Sequence, residues 1–121
     1  MKTMLVVDDS RIVRKVARRI LEDLGFAVDE AEDGAQALAA CRSRLPDGIL
    51  LDWNMPVMNG IEFLHALRAE FGPSGPRVVF CTTESELDAI QRAIEGGADE
   101  YIMKPFDAEI VESKLTGAGL L

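Results

Sequence analysis

Cysteine, histidine and aromatic residues are scarce in this sequence, basic residues are outnumbered, and long apolar runs are missing altogether. Each shortage closes off a class of function. The two cysteines, Cys41 and Cys81, form no C-x-x-C pair and have no metal-ligand spacing, so both read as reduced packing residues. His65, the only histidine, sits in a mixed polar and apolar helical stretch and reads as a surface residue. Against 13 Lys and Arg there are 21 Asp and Glu, a formal charge of −8, which argues against nonspecific nucleic-acid binding through a basic surface. The partners to expect are proteins, or a cation drawn to clustered acids. No apolar run approaches the roughly 20 residues that a membrane helix needs. Two carboxylates fall within the first ten residues, where a signal peptide would still be apolar, so a cytoplasmic location is expected.

What remains, 48% hydrophobic and 28% charged in 121 residues, is the composition of one ordinary folded domain. A single domain over residues 1–121, without a separate output domain, is the expectation. Five short β-rich apolar runs alternate with helical patterns: Met4 to Asp8, Ala27 to Ala31, Gly48 to Leu51, Val78 to Thr82 and Glu100 to Met103. That rhythm predicts a (βα)5 α/β sandwich of three layers around a parallel sheet. The helices between them carry apolar residues three and four apart: Ile12, Val16, Ile20 and Leu24; then Ala37, Leu38 and Cys41; then Ile61, Leu64, Leu67 and Phe71. Leu87, Ile90 and Ile94 continue the pattern in the fourth helix, and Ile110, Val111 and Leu115 in the fifth. Ser10 and Asp107 suit helix N-caps, Gly25, Gly72 and Gly96-Gly97 suit helix ends, and Phe71 to Pro76 reads as the longest turn.

Ligands of open parallel sheets bind beyond the carboxyl ends of the strands. Here those ends carry Asp8 and Asp9, Asp52, Thr82 and Lys104. If the first and third strands are neighbours, the three carboxylates converge, and at ~4–6 Å each like-charge pair costs a few kcal/mol. Lys104 offers one compensating charge, and a hard divalent cation such as Mg²⁺, which prefers oxygen ligands, fits the remainder. A carboxylate beside such a cation is placed to attack phosphorus, with the Thr82 hydroxyl and the Lys104 ammonium each meeting a phosphoryl oxygen.

In order along nearly the whole chain, VVDDS, DWNMPVMNG, the TTE after the fourth strand and YIMKPF resemble the signatures of two-component response-regulator receiver domains, above all the single-domain chemotaxis (CheY-like) type. The resemblance implies the flavodoxin-like strand order 2-1-3-4-5. It implies Asp52 as phosphoacceptor, Asp9 and Asp52 as direct Mg²⁺ ligands with the Asn54 carbonyl, and Asp8 acting largely through water. It makes Thr82 and Lys104 the phosphate-sensing pair, Tyr101 the aromatic switch, and Lys104-Pro105 a cis peptide. Asn54 and Glu84 stand at positions that tune dephosphorylation in the family. The implied function is a phosphorylation-activated signalling switch, not a conventional enzyme, that promotes its own phosphorylation and dephosphorylation. Its phosphodonor would be a histidine kinase or phosphotransfer protein. A downstream protein would bind the face of the fourth helix, fifth strand and fifth helix, with the switch itself a monomer. Asn59 departs from the aspartate many receivers carry in the turn, at a position that is not a ligand.

Bland readings exist for each residue alone. Asp8-Asp9 could be a solvated strand end and cap, and Arg11, Arg14, Lys15, Arg18 and Arg19 read as a solvated helix face. A haloacid-dehalogenase-like aspartyl phosphatase would want a second aspartate at position 54, which is Asn. A flavodoxin-like adaptor that never phosphorylates would have no need of all five strand-end residues.

Overall fold

The computed structural model describes residues 1–83 and 87–121, the side chain of Ala89 excepted. Its elements run β1 (Thr3–Val7), α1 (Arg11–Asp23), β2 (Ala27–Ala31), α2 (Gly34–Ser43), β3 (Gly48–Asp52), α3 (Gly60–Phe71), β4 (Arg77–Thr82), α4 (Leu87–Glu95), β5 (Glu100–Met103) and α5 (Ala108–Gly117). All strand pairs are parallel, in the order β2-β1-β3-β4-β5, as expected. Strand bounds differ from the sequence reading by one residue at one or both ends in three strands: β1 runs from Thr3 to Val7 and so shifts at both ends, β3 takes in Asp52, and β4 begins at Arg77.

Alternation along the central strands builds two cores, because successive side chains of a strand point to opposite faces. Leu5, Val7, Ile49, Leu51 and Phe80 pack with residues of α2, α3 and α4, whereas Met4, Val6, Leu50, Val79 and Ile102 pack with residues of α1 and α5. With both faces covered, β3 is buried along its whole length, Gly48–Asp52. Side-chain caps fix where the helices begin. Ser10, Asp33, Asn59 and Asp107 each accept from the backbone N–H three residues on. At Asn59 a full capping box forms, with the cap residue's own N–H donating to Glu62 Oε1 at 3.0 Å. The pattern Asn-x-x-Glu was the available signal for it.

Two helices bury a different face from the one their largest apolar residues mark. In α1 the buried residues are Arg14, Ala17 and Leu21, while Ile12 and Val16 stand exposed; only Ile20 and Leu24 of the anticipated stripe pack on the core. In α4 Ala93 is buried, and Leu87 and Ile94 are exposed. Small alanines let a helix approach the sheet closely, and the bulkier residues then fall outside the contact. The basic cluster of α1 is accordingly not a uniformly solvated face, since Arg14 is buried. The longest connection is residues 53–59 between β3 and α3 and not Phe71 to Pro76. The C-terminal residues are packed, with Leu120 buried and its carbonyl accepting from Lys2 Nζ. No helix among the described residues is long and apolar enough to cross a membrane.

Candidate functional site

The register carries four strand ends to one place. Val7 pairs with Leu51, Asp52 with Cys81, and Thr82 with Met103, so Asp8, Asp52, Thr82 and Lys104 end neighbouring strands at the same edge of the sheet. Oxygens of Asp8, Asp9 and Asp52 lie within 4.8 Å of one another, an arrangement able to hold a metal ion. Asp8 and Asp52 are buried, whereas Asp9 faces solvent. Lys104 Nζ donates to Asp52 Oδ1 at 2.6 Å and to Asp8 Oδ2 at 3.0 Å. The peptide between Lys104 and Pro105 is cis.

Three carboxylates and one ammonium leave a formal charge of −2, and the donors are all hard oxygens, two buried and one open to water. These residues fit a divalent cation that binds few protein groups and keeps several waters. The electrostatics of the amino acids alone agree with that need. Burial pushes the Asp52 carboxyl up to about 6; the Lys104 hydrogen bond and charge pull it back, and the charges of Asp8 and Asp9 add to the rise. For Lys104, burial works against the ammonium, but the hydrogen bonds to Asp52 and Asp8 and the charges of both acids together hold the amine above its ordinary value. One ammonium serves two carboxylates, so it is well stabilised while Asp52 remains under-compensated.

Thr82 is buried at the end of β4, with its hydroxyl donating to the Thr83 carbonyl at 3.3 Å. Tyr101 is half-buried in β5, with Lys114 Nζ 4.5 Å from its ring centroid. Asn54 is exposed in the β3–α3 connection, two residues beyond Asp52. Glu84 lies outside the described residues. Trp53 flanks Asp52 and meets the Phe80 ring edge-on at 6.1 Å. Cys41 and Cys81 are buried and free, with burial as the main force pushing both thiols up, Cys41 to about 11.

Strain sits beside this site at Val57, whose φ of 66° is unusual for a β-branched residue. Met58 N–H donates to the Pro56 carbonyl at 2.7 Å, closing a three-residue turn around it. The Val57 side chain is 82% exposed, so little packing offsets the strain. Val57→Asn should stabilise the fold by about 1 kcal/mol, because asparagine tolerates this conformation better. The check is a urea midpoint that rises with unchanged slope; a lower midpoint would show that the valine is not strained.

The chain matches the family profile described as the response regulator receiver domain over residues 4–116. It is 38% identical to "Chemotaxis protein CheY" of Pseudomonas aeruginosa over 113 residues, 93% of this chain and 91% of that protein. Against "Chemotaxis protein CheY-3" of Vibrio cholerae it is 37% identical, covering 93% of this chain and 87% of the other. The solved structure of the chemotaxis response regulator CheY4 of Vibrio cholerae superposes with a TM-score of 0.90 at 35% identity, covering 98% of each chain. Sequence, fold and the convergence of strand ends agree: the chain belongs to the response regulator receiver domains and is a phosphorylation-activated switch of two-component signalling.

Proposed function

We propose that Asp52 is the phosphoacceptor and that its phosphorylation requires Mg²⁺ held by Asp9 and Asp52, with the Asn54 carbonyl as a further ligand and Asp8 acting largely through water. The observation that carries this reading is the Lys104 ammonium shared between two buried carboxylates, with a third acid within reach. Bound there, the cation supplies charge neutralisation for the phosphoryl oxygens. An Asp52 oxygen attacks the phosphorus of a phosphohistidine on a kinase or phosphotransfer protein. The new O–P bond forms as the N–P bond breaks, and the imidazole leaves with the electron pair. Catalysis here is mostly positioning and electrostatic stabilisation of a loose transition state.

Lys104 then exchanges its bond to the free carboxylate for one to a phosphoryl oxygen, and the Thr82 hydroxyl donates to another. A backbone hydrogen bond joins the two residues, Lys104 N–H donating to the Thr82 carbonyl at 2.7 Å, and supports this pairing. Phosphorylation therefore shifts a two-state equilibrium, with Tyr101 changing its packing in response. The readout face comprises α4, β5 and α5, where exposed Leu87, Ile94 and Ile110 offer apolar contact to a protein target. Water later hydrolyses the acyl phosphate at a rate tuned by Asn54 and Glu84, so the protein promotes both halves of its own cycle. The setting is the cytoplasm, the receiver acts as a monomer, and nucleic acid is not a direct partner.

The test is intact mass after incubation with acetyl phosphate, with and without Mg²⁺. One labile phosphoryl group that appears only with Mg²⁺ is the expected result. No adduct, together with no stable beryllofluoride complex, would sink the acceptor reading and leave a silent adaptor.

A further inference from the structure

Asp8 is held at every polar group it owns. Its N–H donates to the Ala31 carbonyl at 3.1 Å, and its Oδ1 and Oδ2 accept from Ser10 N–H at 2.8 Å and Lys104 Nζ at 3.0 Å. The last group, the carbonyl oxygen, accepts from Arg14 Nη1 at 2.7 Å in a buried hydrogen bond. That carbonyl belongs to the peptide joining Asp8 to Asp9, so the guanidinium fixes the plane of the one link between the two N-terminal acids.

Arg14 is itself fixed. Its Nε donates to Glu30 Oε1 at 3.0 Å, and the other oxygen of Glu30 accepts from Arg18 Nη1 at 2.6 Å. Arg18 Nη2 reaches the Val28 carbonyl at 2.9 Å. A chain of charged groups thus runs from the edge strand β2 through α1 to the acidic peptide. With its side chain only 10% exposed, Arg14 gives up most of its hydration in the inner face of α1, where an apolar residue would pack at less cost. A buried charge in that position needs a reason, and hydrogen bonding to the acid-bearing peptide supplies one.

We propose that Arg14, oriented by Glu30, is a positioning residue for the cation: it presets the Asp8-Asp9 peptide so that the two carboxylates stand ready without reorganisation. The inference rests on the metal reading of the acidic cluster. Partners behind a ligand group set affinity by fixing its direction, and losing one weakens metal binding by about 10- to 100-fold. Trp53, next to Asp52 in the chain, should change its emission when Mg²⁺ binds, and Arg14→Gln should raise the Mg²⁺ concentration that half-saturates this change by about tenfold. Arg14→Lys keeps the charge but loses the planar guanidinium fork that meets the carbonyl and Glu30 through separate nitrogens, so it should recover part of the loss. Glu30→Gln leaves the carbonyl bond but removes the ionic partner that aims Arg14, and should show a smaller shift in the same direction.

Melting temperature is measured for each variant at zero and at saturating Mg²⁺. A merely structural arginine would lower it equally in both conditions and leave the half-saturating concentration at the wild-type value, and that pattern would overturn the proposal. If Arg14→Gln does not fold, Arg14→Lys and Glu30→Gln decide the matter by the same readout. A wild-type protein that melts at one temperature with or without Mg²⁺ and shows no emission change would count against the metal reading instead.

Discussion

In the absence of divalent cations, Asp52→Asn should melt above the wild type while taking up no phosphoryl group. Burial, first, and the charges of Asp8 and Asp9 raise the Asp52 carboxyl from its ordinary 3.8 to about 6, despite the Lys104 bond. The folded protein binds this proton more tightly than the unfolded chain. Its contribution to stability is therefore full below about pH 4 and is lost as pH rises through about 6. A displacement of that size corresponds to about 3 kcal/mol of strain on the folded state at neutral pH. The amide removes the charge and turns the shorter of the two Lys104 bonds into a weaker one to a neutral acceptor, which leaves a net gain of about 1–2 kcal/mol, or about 5 °C in Tm. At pH 4.5 the advantage should shrink, because folded wild type is then protonated at Asp52. Mg²⁺ should narrow it at neutral pH as well, since the cation binds the folded wild type and raises its stability by mass action. A variant less stable than wild type at pH 7.5, with the difference unchanged at pH 4.5, would show that Asp52 is not under-compensated. The charge that weakens the fold is the one that has to be free to act as a nucleophile.

Gly60→Ala should damage both fold and chemistry. A Cβ there would run into the Asp52 carbonyl oxygen and stand 3.1 Å from Trp53 Cα, and neither is the end of a flexible side chain. Gly60 N–H also donates to the Trp53 carbonyl at 2.9 Å, so α3 begins directly on the backbone of the acceptor strand. Relief requires α3 and the end of β3 to separate, at about 3 kcal/mol. A displacement of about 1 Å at a reacting group lowers rates by about a hundredfold, and acetyl phosphate labelling should fall on that scale. Gly48→Ala is the control. Its Cβ would meet Met4 Sδ at 2.5 Å and Leu120 Cδ1 at 2.6 Å, which are side-chain and not backbone atoms, at the opposite end of β3 from Asp52. Urea unfolding and labelling rates should separate the two variants; equal labelling would show that the α3 contact does not position Asp52.

Much of the site was legible because it is built from chain positions that sequence pattern locates well. A β-branched run followed by acids, as in VVDDS, marks both a strand and its carboxyl end, and the parallel fold then brings such ends together. Caps were legible at Ser10 and Asp107 for a similar reason, since a cap is a local bond within one turn. Arg14 was misread because periodicity measures apolarity and not distance to the sheet. Ile12 and Val16 made the stronger stripe, yet Ala17 lies against the core and carries its neighbour Arg14 inward with it.

The sequence by itself determined the alternation of five strands and five helices, the acids and lysine at the strand ends, and the family to which those motifs belong. These follow from local preferences and from short spacings, which do not depend on where the rest of the chain lies. Only the tertiary structure decided which helix faces are buried, that Lys104 spans Asp8 and Asp52 from residues 96 and 52 positions away, and that a guanidinium holds the peptide between the acids. Such contacts join separate elements, and their geometry is set by how closely each helix packs on the sheet.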